Sequence, residues 1–387
     1  MRNDILILNA GSSSIKLTVF DHALKTRLSG VADAIGGAAR LRIGEQMRAL
    51  PMADHAGALR EIFDALASHG VALNGLAAVG HRVVHGGATL TSPQRITPDI
   101  RAEIAACIPL APLHNPHNLA AIDEVARLAP ELPQFASFDT AFHASNPAVA
   151  THYALPPDLA QRGLRRYGFH GLSYSALVRN WPAVTTTPLP KRVLACHLGN
   201  GASLCAIRDG QSVATTMGYS PLAGLTMGTR CGDIDANAVL KLVEEQGLEA
   251  TRALLNNGSG LLGLSGQSSD MRAVAENGSP RSVFTIEHFC YWVARHAGSM
   301  AAAMGGCDAI VFTGGIGENA VAVRAQIIAH LGWLGAEIDS ARNTVSSARL
   351  HGDKARVGVW IIAADEEREI AHDVARLGTA FRDASMC

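Results

Sequence analysis

The stretch DILILNAGSSSIKLTVFD (residues 4–21) reads as a strand, a Gly/Ser turn and a second strand. The first segment is mostly apolar, and the second alternates apolar and polar side chains with the two-residue period of a β-strand. Residues 192–210, RVLACHLGNGASLCAIRDG, repeat this order around a Gly/Asn turn, and Ser203 stands where Ser14 stands in the first stretch. We interpret the two stretches as an internal duplication, with chance likeness of two hairpins as the alternative.

Strands alternate with helices through the rest of the chain. Residues 308–320, DAIVFTGGIGENA, read as a buried strand that runs into a glycine loop. Residues 357–377 read as a strand, an acidic turn and an amphipathic helix, and residues 280–306 carry a long helical pattern. This alternation predicts an α/β fold. The length of 387 residues favours two or three domains, with a domain change near residues 140–150.

The composition narrows the class of protein. Hydrophobic residues make up 48% of the chain, charged residues 17%, and the net charge is −1, so no basic excess indicates a nucleic-acid or anionic-membrane partner. The apolar run at residues 5–8 is too short for a signal peptide or a membrane span. Seven scattered cysteines without a CxxC pair indicate free thiols in a reducing cytoplasm and not a zinc site. We therefore expect small-molecule chemistry.

Four glycine-rich turns point to a phosphate ligand. They are NAGSSS (9–14, followed by Lys16), HLGNG (197–201), GLTMGTRCGDID (224–235) and GGIGEN (314–319). Small residues let the backbone approach a phosphate, and amides, hydroxyls and a lysine supply donors and charge. None has the GxxxxGK[ST] order of a Walker A loop. A single turn of this kind is as well explained by an ordinary hairpin, whereas the set favours a bound nucleotide.

Five polar side chains are candidates for the chemistry. Arg82 lies between glycines in GHRVVHGG, which suits a carboxylate or a phosphate, although a surface arginine is the alternative. Asp139 follows an apolar run, and α/β folds often carry functional residues at the ends of such strands. An aspartate that caps a turn is the alternative. His170 is either functional or a hydrogen-bonded core histidine. Arg230 could neutralise a transferring phosphoryl group, and Glu366 could bind magnesium.

Eight motifs occur in the order found in acetate kinases, from residue 3 to about residue 375: NAGSSSIK, GHRVVHGG, LAPLHNP, FDTAFH, YGFHG, CHLGNGASL, MGTRCGDID and FTGGIGEN. The chain therefore resembles the acetate kinase family, which is similar to the actin, sugar-kinase and Hsp70 ATPases. The resemblance implies an α/β fold of two duplicated ribonuclease H-like domains with an active-site cleft between them. Residues 1–145 with 367–387 would form the carboxylate-side domain, and residues 146–366 the nucleotide-binding domain.

The resemblance also implies a reaction. ATP and acetate would give ADP and acetyl phosphate, reversibly, by in-line phosphoryl transfer assisted by Mg²⁺, for which Mn²⁺ could substitute. A propionate kinase of the same family is the alternative, and a binding or scaffold protein that has lost catalysis is a more distant one. We expect a homodimeric cytoplasmic transferase that serves acetyl-CoA biosynthesis and has no nucleic-acid or membrane partner.

The same resemblance assigns roles to individual residues of this sequence. The matches to catalytic residues are Asp139, His170 and Arg230, and the matches to metal ligands are Asn9 and Glu366. The matches to carboxylate-binding residues are Arg82, Val84, Leu113 and Pro221. The matches to nucleotide contacts are Lys16, Ser12, Ser14, His197, Leu198, Gly199, Asn200, Gly201, Asp270, Met271, Arg272, Gly315, Ile316, Gly317, Glu318 and Asn319.

Two positions depart from the family pattern. Asp365 stands where the family commonly has asparagine, beside the predicted metal ligand Glu366. Met271 stands where an aromatic residue is often found near the adenine. Val84 lines the predicted methyl pocket, and one methylene in such a pocket changes discrimination by only about 1–3 kcal/mol. The two departures concern the metal site and the nucleotide preference, respectively, and Val84 concerns the acid preference.

Overall fold

The computed structural model describes residues 4–11, 13–49 and 54–384. The chain divides into two compact units, the first formed by residues 1–141 with 365–387 and the second by residues 142–364. These boundaries lie a few residues before those expected at 145/146 and 366/367. Glu366 therefore belongs to the first unit.

The described residues form thirteen strands, which are β1 Asp4–Ala10, β2 Ile15–Phe20, β3 Thr26–Asp33, β4 Arg40–Ile43, β5 Gln46–Ala49, β6 Leu76–Val83, β7 Gln94–Arg95, β8 Gln134–Phe138, β9 Arg192–Leu198, β10 Ala202–Arg208, β11 Gln211–Thr215, β12 Ala309–Thr313 and β13 Gly358–Ile361.

The same part of the chain forms fifteen α-helices, which are α1 His55–Ser68, α2 Pro98–Ala106, α3 Asn115–Leu128, α4 Ala148–Thr151, α5 Pro157–Gln161, α6 Gly171–Thr185, α7 Ala236–Gln246, α8 Leu248–Asn257, α9 Gly260–Ser265, α10 Met271–Asn277, α11 Pro280–Met304, α12 Gly314–Asn319, α13 Val321–His330, α14 Ser340–Thr344 and α15 Glu366–Ala384. Short 3₁₀ helices cover Leu73–Gly75, Ile108–Leu110, Ala141–Ser145 and Gly332–Leu334. Among the described helices, none is both long enough and apolar enough to span a bilayer.

Each unit contains one sheet, and the two sheets share a five-strand order. The first sheet runs β5-β4-β3-β2-β1-β6-β8-β7 and the second runs β11-β10-β9-β12-β13. In β3-β2-β1-β6-β8 the first three strands pair antiparallel, β3 with β2 and β2 with β1, and the last two run parallel to β1. The same directions occur in β11-β10-β9-β12-β13. This repeated order confirms the predicted duplicated α/β fold.

The hairpin register corrects one detail of the predicted repeat. Asn9 pairs with Lys16 in the first hairpin, and His197 pairs with Ser203 in the second, each next to the pair that closes the turn. The counterpart of Ser203 is therefore Lys16 and not Ser14. The sequence comparison missed this because the first turn is longer than the second by one residue.

Alternate residues of the strands build the cores. In the first unit, Leu8 and Leu17 from the hairpin pack with Leu59 and Ile62 of α1 in one buried cluster. In the second unit, α6 contributes Trp181 to a cluster with β9 and β12. Burying one large aliphatic side chain stabilises a fold by roughly 1.5–3 kcal/mol, so these faces hold the helices against the sheets.

Candidate functional site

The carboxyl ends of three adjacent parallel strands bring three predicted site residues together in the first unit. Asn9 lies near the end of β1, Arg82 near the end of β6, and Asp139 directly follows β8. Parallel strands end at the same edge of a sheet, where α/β folds bind ligands. Arg82 Nε donates to Asp139 Oδ1 at 3.0 Å, Nη2 donates to Oδ2 at 2.6 Å, and Nη1 donates to Asn9 Oδ1 at 3.2 Å.

Carboxylates outnumber the guanidinium in this cluster. The Asp139 side chain is 2% exposed. Glu366 begins α15, and its Oε2 lies 3.9 Å from Arg82 Nε. Burial alone would lower the pKa of Arg82, but the charges of Asp139, Glu366 and Glu367 outweigh it and raise that pKa. Arg82 is thus a permanently charged fork held in one orientation by Asp139.

Two buried asparagines of α3 fix the backbone at this edge, a function that the sequence analysis missed. Asn118 Oδ1 accepts from the Val84 N–H at 3.1 Å, and its Nδ2 donates to the Ala10 carbonyl at 2.8 Å. Asn115 binds both backbone groups of His85, at 3.1 Å and 3.0 Å. The available signal was the pair of asparagines three apart in LAPLHNPHN, at the start of a helix.

The Gly/Ser turn after β1 is braced by a histidine. Gly11 N–H donates to the Ser14 carbonyl at 2.7 Å, which closes the turn. The Gly11 carbonyl lies 2.7 Å from His55 Nε2, and the His55 ring stacks on His117 with centroids 4.3 Å apart. Lys16 is exposed on β2. Ser12, also predicted to bind phosphate, lies outside the described residues.

The residues predicted to line the methyl pocket fall in different units. Val84 is buried and Leu113 is exposed, both in the first unit. Pro221 is in the second unit, where its carbonyl accepts from Arg230 Nη1 at 2.8 Å.

The turn between β9 and β10 gathers two predicted catalytic side chains in the second unit. A Cβ at Gly201 would stand 3.2 Å from His170 Nε2 and 3.8 Å from Arg230 Nη1. The His170 ring stacks on the His197 ring with centroids 4.1 Å apart and planes 24° apart. A side chain at Gly201 would therefore cover both the imidazole and the guanidinium.

His170 is held by its backbone and by a buried hydroxyl. It caps the start of α6 with φ +58°, in the left-handed region that non-glycine residues seldom adopt. Its Nδ1 lies 2.8 Å from Ser203 Oγ, and Tyr174 Oη lies 2.5 Å from the same oxygen. Ser173 Oγ lies 2.8 Å from His197 Nδ1. Such strain persists only where the surroundings over-determine it, which is common at functional sites.

A cavity of about 790 Å³ opens beside the same turn. This volume lies within the usual range for small-molecule sites. Eight of its lining residues were predicted to bind nucleotide: Gly199, Asn200, Asp270, Met271, Arg272, Gly315, Ile316 and Asn319. Residues that were not predicted add an apolar wall: Ala275, Ile286, Ala320, Val321, Ala322 and Val323. The sequence motifs found the glycine and most polar residues of the cavity together with Met271 and Ile316, and missed Ser269 and these apolar residues.

The predicted glycine loop at 314–319 is the short helix α12. Gly314 has φ +77°, and a Cβ there would stand 2.8 Å from the Leu198 carbonyl oxygen, so only glycine fits. Glu318 Oε1 accepts from the N–H groups of Gly314 and Ala364, both at 2.9 Å. Its carboxylate therefore joins α12 to the segment after β13. Among the described residues predicted to bind nucleotide in this unit, His197, Leu198, Gly201, Gly317 and Glu318 do not line the cavity.

The model of the acetokinase family matches residues 4–372. The chain belongs to the acetokinase family. It is 42% identical to an acetate kinase of Nitrobacter hamburgensis over 95% of both chains. Among solved structures, it resembles a propionate kinase of Francisella tularensis (36% identity, TM-score 0.91, 96% and 98% of the chains covered). It also resembles the acetate kinase of Porphyromonas gingivalis (34% identity, TM-score 0.89, 97% and 99% covered).

Three deeply buried histidines of this acetokinase-family chain are neutral at pH 7. Burial lowers the pKa of His81, His85 and His143 to about 4. His81 Nε2 bonds Gln134 Oε1 at 2.7 Å, and His143 Nε2 bonds the Phe169 carbonyl at 2.9 Å. In the part of the chain that the structure describes, no three His, Cys, Asp or Glu side chains are grouped to hold a metal.

Proposed function

We propose that this chain catalyses the reversible transfer of the γ-phosphoryl group of ATP to acetate, giving ADP and acetyl phosphate. The observation that carries the proposal is the Arg82–Asp139–Asn9 cluster at the edge of the first sheet, in a chain of the acetokinase family. The nucleotide-sized cavity of the second unit supports it. The reaction joins two anions, and cationic side chains and positioning are what it chiefly needs.

Arg82 binds the acetate carboxylate in this proposal. Its guanidinium uses one hydrogen of Nη1 for Asn9 and one of Nη2 for Asp139, which leaves a second hydrogen on each nitrogen for an acetate oxygen. Acetate is already ionised at pH 7, so it needs no general base. Asp139 therefore orients the Arg82 guanidinium and contributes a carboxylate next to the proposed metal. It is not required as a proton acceptor.

His170 and Arg230 stabilise the transferring phosphoryl group. Both lie beside Gly201, where a Cβ would stand 3.2 Å from His170 Nε2 and 3.8 Å from Arg230 Nη1. Donors fixed in advance cost no reorganisation when charge develops in the transition state. The turn at 197–201 is the proposed phosphate-binding turn of the second unit, and the matches in the first unit are Lys16, Ser14 and Ser12, the last outside the described residues.

Asn9 and Glu366 fit a magnesium ion. Both offer oxygen ligands, and Mg²⁺ is usually held by one or two carboxylates plus water and substrate phosphates. The excess of carboxylates around Arg82 favours a cation at this edge. Mg²⁺ would neutralise phosphate charge there. Mn²⁺ prefers similar oxygen ligands and could replace it.

The adenosine part of ATP or ADP occupies the cavity of the second unit. The apolar wall, including Ile286 and Val323, offers a face to the purine ring, and the start of α10 with α12 offers polar groups. Met271 is buried at the wall where relatives often carry an aromatic residue. A thioether packs against an aromatic ring edge, so adenine remains the expected base.

Propionate is the alternative acceptor. Val84 is buried in the predicted methyl pocket, and a solved structure that the chain resembles is named a propionate kinase. Because a methylene is worth only about 1–3 kcal/mol, both acids will react to some extent. The ratio of kcat/KM for acetate to kcat/KM for propionate decides the assignment, and a higher value for propionate would replace acetate as the substrate.

We propose that the chain forms a homodimer in the cytoplasm, and exposed apolar side chains and free thiols support this proposal. Helix α7 buries none of its residues although it carries Leu240, and Phe284 and Tyr291 of α11 and Trp333 are exposed. We assign these exposed apolar side chains to contacts with a second copy of the chain, to be checked by sedimentation, in which a monomer would contradict it. The six described cysteines are free, which suits a reducing cytoplasm, where acetyl phosphate can feed acetyl-CoA synthesis.

The test of the proposed function is a direct assay of acyl phosphate. The purified chain is incubated with ATP, Mg²⁺ and acetate, and acetyl phosphate is trapped with hydroxylamine. Arg82→Ala should reduce the rate by about 10³-fold or more while the protein stays folded. Arg101→Ala is the matched control because Arg101 forms a similar two-bond pair with Asp123 on the exposed surface of the same unit. No product with any short-chain acid, or equal rates for the two variants, would refute the proposal.

A further inference from the structure

Two hydrogen-bonded polar side chains in the second unit, Tyr174 and Ser203, lead to His170. Tyr174 and Ser203 are both completely buried. Tyr174 Oη lies 2.5 Å from Ser203 Oγ, and Ser203 Oγ lies 2.8 Å from His170 Nδ1. The other ring nitrogen, Nε2, faces the position above Gly201. The direction in which the hydroxyl hydrogens point decides what this nitrogen can do.

Tyr174 sets the direction in which the hydroxyl hydrogens point. A buried phenol keeps its proton, because burial raises the pKa of Tyr174 well above its usual value. A buried hydroxyl normally donates that proton to an acceptor. The acceptor that the described residues place within hydrogen-bond distance of Tyr174 Oη is Ser203 Oγ. The Tyr174 hydrogen therefore points at Ser203.

The serine hydrogen must then point elsewhere. Ser203 Oγ carries one proton, and its second neighbour among the hydrogen-bond contacts of the described residues is His170 Nδ1. With the serine donating, Nδ1 is the acceptor, and a neutral imidazole has its proton on Nε2. The reverse direction would leave the Tyr174 hydrogen without this acceptor, so the Nε2–H tautomer is favoured by about ten-fold or more.

We propose that Tyr174 and Ser203 are positioning residues that hold His170 in the neutral tautomer with its proton on Nε2. His170 is then a hydrogen-bond donor toward an anionic group above Gly201 and not a base. An Nδ1–H, in either the other neutral tautomer or an imidazolium, would oppose the serine hydrogen. This inference rests on the proposed function only in naming the anionic group as the transferring phosphoryl group.

The test reads the tautomer directly. Long-range ¹H–¹⁵N correlation spectra of the full chain with ¹⁵N-labelled histidine are assigned with His170→Gln. We expect an unprotonated signal for His170 Nδ1 and a protonated signal for Nε2 near pH 7. Tyr174→Phe should mix the two tautomers and lower kcat about ten-fold with little change in the KM for ATP, since the ring and the cavity stay in place.

Two further variants keep the result interpretable. Ser173→Ala is the matched control, because it removes a hydroxyl from His197 Nδ1 and should leave the His170 pattern unchanged. Ser203→Thr retains the hydroxyl and should preserve the pattern, whereas Ser203→Ala should lose it. A protonated Nδ1 in the unmodified chain, or an unchanged pattern in a folded Tyr174→Phe or Ser203→Ala variant, would overturn the inference. The spectrum requires no turnover, so failure of acetyl phosphate formation alone would refute the proposed function and leave this inference standing.

Discussion

Asn118→Leu should damage the acceptor side of the site without any direct change to a substrate-binding group. The leucine is close in size to asparagine but has no polar atoms, and Asn118 is 1% exposed. It would break the bond to the Val84 N–H at 3.1 Å and the bond to the Ala10 carbonyl at 2.8 Å. Leaving a buried polar group without its partner costs about 1–3 kcal/mol. With two such groups, we expect the free energy of unfolding to fall by about 2–6 kcal/mol.

The functional loss should be specific to the acid. Asn118 ties the end of β1, which carries Asn9, to the segment after β6, which follows Arg82. A displacement of about 1 Å in a positioned group can cost about 10²-fold in rate. We expect kcat/KM for acetate to fall at least ten-fold, whereas ADP binding, measured by calorimetry, should change less than three-fold.

The control is Asn74→Leu, because Asn74 is an exposed asparagine of the same unit. An exposed substitution of this kind usually changes stability by less than about 0.5 kcal/mol. Urea unfolding and steady-state kinetics of both variants decide the question. If the free energy of unfolding of Asn118→Leu lies within about 0.5 kcal/mol of that of the unmodified chain and its kcat/KM for acetate is unchanged, the proposed role of the two Asn118 hydrogen bonds is refuted.

Asn118→Asp distinguishes the contributions of the two Asn118 hydrogen bonds. The aspartate retains an acceptor for the Val84 N–H but replaces the donor to the Ala10 carbonyl with an oxygen. When ionised, this oxygen repels the carbonyl, and when protonated, its O–H can donate as the amide did. Burial raises the pKa of such a carboxyl, so the variant should recover stability and activity as the pH falls. If the stability and activity of the variant fall with pH in parallel with those of the unmodified chain, the hydrogen bond to the Ala10 carbonyl is unimportant.

Three other predictions concern different parts of the molecule. Gly228→Ala should raise the KM for ATP about ten-fold, because a Cβ there would stand 1.9 Å from Asn200 Oδ1 at the cavity wall, whereas Gly352→Ala, with no atom within 4 Å, should not. Arg82→Lys should fold but lose at least ten-fold in kcat/KM for acetate, because an ammonium cannot replace the two-bond fork to Asp139; unchanged kinetics would contradict this. The three histidines with a pKa of about 4 bind protons on unfolding between about pH 6.5 and 4, so the urea-derived stability should fall with pH over this window; a flat profile from pH 7 to 5 would count against it.

Local pattern predicted the elements and the residues at their ends. The hairpin at residues 4–21 and the helix α11 follow from periods of two and 3.6 residues, and Asp139 was recognisable because a carboxylate follows a wholly buried strand. The five-strand order was not readable residue by residue, because it depends on pairing between strands distant in sequence, such as β1 with β6. The family resemblance implied two duplicated domains but did not give their strand order.

The partners of the site residues were beyond the sequence. A motif shows that a polar residue stands beside a glycine turn, but not whether it faces a ligand or the backbone. Glu318 illustrates this difference. It belongs to a motif that was predicted to bind nucleotide, but its carboxylate accepts hydrogen bonds from two backbone N–H groups. Asn118 illustrates the converse, since the pair of asparagines in LAPLHNPHN does not show what Asn118 binds, and its role follows only from the hydrogen bonds to Val84 and Ala10.

The two copies of the hairpin place polar residues at the same register. The groups around these residues are mainly anionic in the first unit, and are neutral or cationic in the second. In the first unit, Asn9 joins a cluster of one guanidinium and several carboxylates, which suits a metal cation and a carboxylate held by that guanidinium. In the second unit, the counterpart of Asn9 is His197, which stacks on a ring bonded to a neutral hydroxyl, with Arg230 nearby. Neutral donors and one cation suit an anionic phosphoryl group. A carboxylate introduced at Ser203 would reverse this balance, and the tautomer argument predicts that it would draw the proton of His170 to Nδ1 and remove the donor from Nε2.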